Sequence, residues 1–128
     1  MRLFNPDTVC KPFSSYSHGA LVEGAARWLH VSGQVGAAPD GKLKQGFEDQ
    51  AKQAWANLIA VLQAGGMERR DLVKVNVFLT RATDVPASRA IRDEALQGAT
   101  PASTLLVISA LAHPDLLIEV DAVAARSA

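Results

Sequence analysis

Two carboxylates near the carboxyl end of the chain are candidates for acid–base chemistry. Glu119 and Asp121 are two positions apart in the apolar stretch 117–124, which is typical of a β-strand. Side chains alternate along a strand, so both carboxylates should point to the same side, which Val123 shares. A half-buried carboxylate has a raised proton affinity and can serve as a general base. Two interpretations stay open: a catalytic base, or two carboxylates that face solvent.

No other group of residues has the spacing of a familiar catalytic, metal-binding or phosphate-binding motif. The three histidines, His18, His30 and His113, lie far apart in the sequence. The single cysteine, Cys10, has no ligand-spaced histidine beside it and is interpreted as an ordinary free thiol. The glycines in 33–36 follow a predicted strand, but no lysine stands at the spacing of a phosphate-binding loop. The sequence therefore predicts no metal and no cofactor.

The composition is that of one globular domain spanning residues 1–128. Hydrophobic residues make up 48% and charged residues 20%, a balance that disordered chains do not have. Thirteen basic residues offset thirteen acidic ones, so no general attraction to nucleic acid or to an anionic membrane is expected. The longest apolar runs are far shorter than the ~20 residues of a spanning helix, and residues 1–15 do not resemble a signal peptide. We therefore expect a cytoplasmic protein.

The periodicity of apolar residues predicts two helices and six strands. Residues 47–64 repeat apolar positions at spacings of three and four, and the glycine pair 65–66 provides a helix stop. Residues 71–80 alternate between apolar and polar side chains, as a strand with one face in the core does. A second helix is predicted to begin after Asp84 and to end before Gly98. The remaining predicted strands are 2–5, 20–23, 27–32, 104–109 and 117–124.

The predicted order of elements, β-β-β-α-β-α-β-β, defines an α+β fold. The second helix connects two parallel strands, while a hairpin formed by 20–23 and 27–32 adds antiparallel ones. The result is a mixed sheet with both helices packed on one face. The apolar residues Phe78, Val107 and Val123 are expected on the other face, which this arrangement leaves bare. A bare apolar face is normally covered, so the pattern predicts contact with another subunit.

Several collinear stretches together cover nearly the whole chain and have a specific combination of motifs. They are residues 15–19 (SYSHG), 31–34 (VSGQ), 50–58, 61–66 (VLQAGG), 72–75, 77–79, 101–102 (PA) and 118–124 (IEVDAVA). In this combination the chain resembles the RidA/YjgF family of enamine/imine deaminases, also labelled endoribonuclease L-PSP proteins. The resemblance implies a chorismate-mutase-like fold of the bacillus type and a homotrimer whose sheets form a barrel. It also implies clefts between subunits, in which 2-imino acids are hydrolysed to 2-keto acids and ammonia.

The resemblance assigns roles to individual residues of such a cleft. Glu119 matches the family glutamate that orients the attacking water, and Tyr16 matches a tyrosine that helps to close the cleft. Ser32 and Gly33 match the motif of the cleft wall. These four residues are therefore predicted to surround a bound substrate.

One position departs from the family pattern. Where the family reads Pro-Ala-Arg-Ser/Thr, this chain reads Pro-Ala-Ser-Thr at 101–104, so Ser103 takes the place of the arginine that holds the substrate carboxylate. A serine brings no charge, and each charge-assisted bond contributes about 1.5–3 kcal/mol. A standard 2-imino acid is therefore not the expected substrate. Ser103 and Thr104 are predicted to contact whatever substrate binds.

Arg89 is a candidate for the missing cation, because many family members carry an asparagine beside the cleft at the matching position. Arg92 lies three residues further on the same helix face. The alternative is that both arginines are surface residues near Asp93 and Glu94. His18, where other members often have an uncharged polar residue, is a further candidate for the cleft.

Two functions of different classes remain open. The first is a hydrolase that deaminates a small reactive enamine or imine to a carbonyl compound and ammonia. The second is a trimer that binds a small metabolite in the same clefts and catalyses nothing. Ribonuclease activity, which the second family label suggests, is not expected, because the sequence shows no basic groove for nucleic acid.

Overall fold

The computed structural model of the chain describes residues 1–24 and 27–127, where it has two α-helices and six strands in the predicted order. The elements are β1 (Arg2–Phe4), β2 (Gly19–Leu21), β3 (Arg27–Val35), α1 (Phe47–Ala64), β4 (Leu72–Leu79), α2 (Val85–Leu96), β5 (Ala102–Val107) and β6 (Ile118–Arg126). α1 has the predicted bounds, whereas β3 continues to Val35 rather than ending at residue 32. Neither helix in the described part of the chain has the length and apolar character needed to cross a membrane.

The glycine pair that follows α1 ends the helix as the sequence predicts. The N–H groups of Gly65 and Gly66 donate to the carbonyls of Val61 and Gln63, and Gly66 has a left-handed φ of 74°. Glycine adopts this conformation at little cost because it lacks a Cβ atom. One side of α1 is buried, and it carries the predicted apolar stripe: Phe47, Ala51, Trp55, Leu58, Ile59 and Leu62.

Four strands form a mixed sheet in the order β3-β6-β4-β5. β4 and β5 are parallel and α2 connects them, which confirms the predicted crossover, while β6 is antiparallel to both of its neighbours. Both helices pack on one face, here called the helix face, and the predicted α+β class is confirmed. Alternate residues of β4 and β6 join the core there: Val75, Val77, Leu79, Val120 and Ala122.

The opposite side of the sheet, here called the open face, carries the remaining side chains of the same strands. Alternation and strand register place the following residues there: Lys74, Asn76, Phe78, Thr104, Leu106, Glu119, Asp121 and Val123. Trp28 also lies on this face, since it is two positions from His30, which is in register with Val123. In the single chain, Trp28 and Leu106 remain about half exposed. The open face therefore has both apolar and polar groups in contact with solvent.

The expectation for Val107 was wrong. Val107 is in register with Leu79 and so lies on the helix face, and its neighbour Leu106 occupies the open face instead. Phe78 and Val123 do lie on the open face. A continuous apolar run such as 104–109 does not indicate which face each side chain takes, and the register with β4 decides it.

The predicted hairpin between 20–23 and 27–32 is also wrong. β2 pairs with β1 in a separate two-stranded sheet, whereas β3 pairs with β6. β3 and β6 each have nine residues, so they satisfy more backbone groups with each other than β3 can with the three-residue β2. The alanines of the expected turn, Ala25 and Ala26, lie outside the described residues.

Candidate functional site

The carboxylate of Glu119 lies on the open face against the backbone of β3. The register of β3 shifts between Val31 and Gln34, and Gly33, which lies within this irregular stretch, packs against the carboxylate. A Cβ atom at position 33 would overlap Glu119 Oε2 and lie 2.6 Å from Glu119 Cδ, so the close approach depends on glycine. Within the described residues, no group donates a hydrogen bond to this carboxylate. Glu119 is therefore free to accept one from a water or a ligand.

The second carboxylate of the strand, Asp121, already has a partner. It accepts a hydrogen bond of 2.7 Å from Asn76 Nδ2. Beside this pair, Lys74 Nζ donates a hydrogen bond of 2.7 Å to Thr104 Oγ1. These four side chains form a polar row across β6, β4 and β5. Of the two carboxylates that the sequence singled out, Glu119 is the one that accepts no side-chain hydrogen bond from a described residue.

The segment between β1 and β2, here called the N-terminal segment, docks beside the start of β5. Ser17 is buried, and its Oγ donates a hydrogen bond of 2.6 Å to the carbonyl of Thr100. Its backbone N–H donates to the carbonyl of Pro101 at 3.2 Å, and Ser17 forms a parallel bridge with Ala102. This docking holds Tyr16 close to Ser103.

A cavity of about 190 Å³, here called the α2 cavity, lies between the N-terminal segment, α2 and β5. Its lining consists of Phe13, Ser14, Tyr16, Arg89, Arg92, Ser103 and Leu105. Three residues that the sequence singled out, Tyr16, Arg89 and Ser103, therefore meet at one place. A larger groove of about 490 Å³ between α1 and α2 is lined by none of the predicted site residues.

The two arginines of the α2 cavity differ in their surroundings. Arg92 is only 3% exposed, and its Nε and Nη2 donate to Asp93 Oδ1 at 3.1 and 3.0 Å. Its Nη2 also reaches Ser14 Oγ at 3.4 Å. Arg89 is exposed and forms no ion pair with any residue that the structure describes. The alternative interpretation of both as surface residues near Asp93 thus fails for Arg92, which is buried.

His18 does not line the α2 cavity. Its Nε2 lies 2.6 Å from the carbonyl of Cys10, and its backbone N–H donates to Asn5 Oδ1 at 2.8 Å. The ring of Tyr16 packs edge-on against His18 with 5.7 Å between centroids. The Tyr16 hydroxyl accepts a long hydrogen bond of 3.4 Å from the N–H of Phe13, so its own O–H stays available to a ligand. His18 thus fastens the N-terminal segment and positions Tyr16.

The predicted site residues fall into two groups on opposite sides of the sheet. Glu119, Gly33 and Thr104 belong to the open face, with Ser32 beside Gly33 in β3, while Tyr16, Arg89 and Ser103 surround the α2 cavity. Ser103 and Thr104 are adjacent in β5, where side chains alternate, so they face opposite directions. A ligand bound by one chain alone cannot contact both.

Sequence reasoning missed the polar row and one part of the cavity. Lys74 and Asn76 stand on the polar side of the alternating stretch 71–80, and that alternation was the available signal. Phe13, which is 83% exposed at the α2 cavity, gave no signal because its segment has no regular structure. In residues 1–24 and 27–127, no three His, Cys, Asp or Glu side chains are grouped closely enough to hold a metal ion.

An α+β domain with two helices on one face of a mixed sheet has close counterparts among known proteins. The sequence profile of the family described as Endoribonuclease L-PSP matches residues 8–126 of this chain. A crystal structure from Yersinia pestis, of the Rid family protein YyfB of unknown function, is similar with a TM-score of 0.85. It is 31% identical and the match covers 98% of both chains.

Curated relatives agree with this result. The rat protein named 2-iminobutanoate/2-iminopropanoate deaminase is 34% identical over 114 residues, which are 88% of this chain and 80% of the rat protein. The RutC family protein slr0709 of Synechocystis is 32% identical over 127 residues, which are 97% of this chain and 95% of that protein. The chain belongs to the RidA/YjgF family, the endoribonuclease L-PSP or RutC family, which confirms the resemblance seen in the sequence.

Proposed function

We propose that this chain hydrolyses the C=N bond of a small reactive imine or enamine and releases a carbonyl compound and ammonia. The observation that carries the proposal is the free carboxylate of Glu119, held beneath Gly33 on the open face. Such a carboxylate can orient and deprotonate a water molecule. The rat relative named 2-iminobutanoate/2-iminopropanoate deaminase supports the same chemistry. The reaction uses water as its only co-reactant. We propose that the protein acts in the cytoplasm.

The reaction divides into an addition and an elimination. Water oxygen bonds to the imine carbon, the electron pair of the C=N bond moves to nitrogen, and Glu119 takes one water proton and passes it to that nitrogen. In the resulting carbinolamine, Glu119 takes the proton of the hydroxyl group as the C=O bond forms. Glu119 passes this second proton to nitrogen as the C–N bond breaks, so the sum is imine plus water to carbonyl plus ammonia. An enamine enters the same sequence after protonation of its carbon.

The positions of the candidate residues favour a cleft between copies of the chain. Glu119 lies on the open face, whereas Tyr16 and Ser103 lie at the α2 cavity, so a substrate touching both groups must be held by two chains. The half-exposed apolar side chain of Leu106 on the open face also favours contact with another copy. We propose a homotrimer, in which Ser32 and Gly33 form the cleft wall and Tyr16 covers the substrate.

The neutral side chain at position 103 affects the choice of substrate. A serine hydroxyl gives one uncharged hydrogen bond, whereas the arginine of the family pattern gives two charge-assisted ones. We therefore propose that a standard 2-imino acid is not bound in the usual way. Thr104 reaches a substrate only from the open face, where Lys74 already donates to its hydroxyl.

A deamination assay with two matched carboxylate variants tests the role of Glu119. An amino-acid oxidase generates imino acid in solution, and the decay of the imino acid is followed against a trapping amine. Glu119→Gln is expected to lose about 10²–10⁴-fold of turnover, because the general base is gone. Asp121→Asn, two positions away on the same face, should stay within a few-fold of the wild type. Unchanged turnover in Glu119→Gln contradicts the proposed mechanism.

The uncharged Ser103 also favours a second candidate function, the binding of a small metabolite without chemistry. If the wild type is inert towards imino acids and Ser103→Arg gains activity, the scaffold retains deaminase geometry but has another substrate. If both are inert while a metabolite raises the melting temperature, the chain is a binding protein that uses the same clefts.

A further inference from the structure

We infer that the α2 cavity binds a small oxyanion, with Arg89 and Arg92 as its cations, and that this oxyanion is the acid group of the substrate. The inference deepens the proposed function and rests on it, because it takes the bound molecule to be the substrate of that reaction. Every polar side chain that lines the cavity in the described part of the chain can donate a hydrogen bond, and none is a carboxylate. The donors are Ser14, Tyr16, Arg89, Arg92 and Ser103.

Arg92 is a fixed, buried cation with donor capacity to spare. Asp93 and Ser14 accept from its Nε and Nη2, while its Nη1 donates to no described residue. The side chain of Asp93 is half exposed, at 46%, so water weakens its electrostatic attraction to the buried charge of Arg92. The Asp93 contacts of Nε and Nη2 fix the plane of the guanidinium, and Arg92 is one of the residues that line the cavity. A preorganised guanidinium of this kind suits an oxyanion.

Arg89 provides the second positive charge. It precedes Arg92 by three positions, so the two side chains leave α2 on the same side. Arg89 has no ion-pair partner within residues 1–24 and 27–127, and its forked guanidinium can bind carboxylate or phosphate with two parallel bonds. Ser103 lies across the cavity on β5 and adds a neutral donor. The charge that Ser103 lacks on the strand is thus supplied from the helix.

The size of the cavity limits the ligand. Its volume of about 190 Å³ is below the roughly 300–1,000 Å³ of pockets that enclose drug-sized ligands. A carboxylate or phosphate with a short carbon chain fits this space. The cations extend from α2 rather than from β5, so the acid group of the substrate points towards the helix. The reacting carbon then lies nearer the opening of the cavity.

Calorimetric titration tests the inference without requiring turnover. The probes are 2-oxobutanoate, its uncharged methyl ester and inorganic phosphate, each in a chloride buffer. We expect the wild type to bind at least one of the two anions, and Arg89→Gln to weaken that binding about tenfold. Arg89→Lys should recover part of the loss, and Arg92→Lys should weaken binding to a similar extent. The control Arg70→Gln removes an exposed arginine outside the cavity and should change nothing.

The two anions separate a carboxylate site from a phosphate site, and the ester separates charge from shape. Equal binding of acid and ester, absence of anion binding by the wild type, or unchanged binding in Arg89→Gln overturns the inference. None of these outcomes depends on Glu119. Loss of anion selectivity therefore tells against the oxyanion site alone, whereas unchanged turnover in Glu119→Gln tells against the proposed deamination.

Discussion

The carboxylate of Glu119 and the hydroxyl of Ser103 lie on opposite faces of the same four-stranded sheet. Glu119 is in register with Phe78 on the open face, whereas Ser103 is in register with Val75 on the helix face. The sheet itself separates them, so a ligand held by one chain cannot touch both. If both act on one substrate, as we propose, each site takes one of the two residues from a neighbouring copy.

Two inactive variants are expected to restore each other's activity in mixed assemblies. Glu119→Gln removes the base, and Ser103→Phe places a ring in a cavity of about 190 Å³, so each alone should lose about 100-fold or more of turnover. When the two are combined at random, about a quarter of the sites have an intact Glu119 facing an intact Ser103.

Co-expression of the two variants with different affinity tags provides the measurement. Purification on both tags removes assemblies of a single variant, and each remaining trimer has one intact site of three, so about a third of the wild-type deamination rate should return, while each variant purified alone stays inactive. A mixed assembly as inactive as its components shows that the two residues do not meet across an interface.

Two glycines near β3 should respond to alanine in opposite ways. A Cβ at Gly33 meets the flexible end of Glu119, which can move aside, so Gly33→Ala should cost less than about 1 kcal/mol of stability. It should still lower turnover about tenfold or more, because the carboxylate is displaced. A Cβ at Gly36 lies 2.5 Å from Gln50 Cα in the backbone of α1, so Gly36→Ala should cost about 1–3 kcal/mol.

Urea unfolding and the deamination assay together check this pair. The expected result is a separation, with Gly33→Ala stable but slow and Gly36→Ala destabilised. Full activity in Gly33→Ala contradicts the importance of the close approach between Gly33 and Glu119.

Local patterns were enough to predict the elements that carry Glu119. The apolar stripe of α1 repeats with the helical period, and the alternation in β4 and β6 directly separates core residues from open-face residues. The face of Glu119 and the parallel pairing of β4 with β5 follow from such patterns. Alternation also places Ser103 and Thr104 on opposite sides of β5, so one substrate can contact both only in a cleft between two chains.

Long-range docking could not be predicted in the same way. Tyr16 reaches the α2 cavity because Ser17 bonds to Thr100, which is 83 positions away in the chain. Neither residue has a local pattern that indicates this contact. The pairing of β2 with β1 was missed for a related reason, since a three-residue strand takes any partner that the tertiary structure brings near.

A charge on the open face should dissociate the proposed trimer. Leu106 is 47% exposed in the single chain and is in register with Phe78, so another copy can bury both. Burial of a leucine contributes about 1.5–3 kcal/mol, and Leu106→Glu replaces this gain with the cost of burying a carboxylate. Val61→Glu is the control, because Val61 lies on the exposed side of α1, and it should leave assembly unchanged. Sedimentation velocity should show a wild-type trimer and a Leu106→Glu monomer; a monomeric wild type contradicts the proposed assembly.

Gln50 should be a stability determinant of the segment that leads into β6. It is 3% exposed, its Nε2 donates to the carbonyl of Asp115 at 3.0 Å, and its Oε1 accepts from the N–H of Leu117 at 2.9 Å. Gln50→Leu keeps a similar volume but leaves both backbone groups unpaired, so the free energy of unfolding should fall by about 1–3 kcal/mol. Gln63→Leu, at an exposed position of the same helix, should change it by less than about 0.5 kcal/mol. Urea unfolding measures both variants, and equal midpoints for the two would show that the contacts of Gln50 with this segment add nothing to stability.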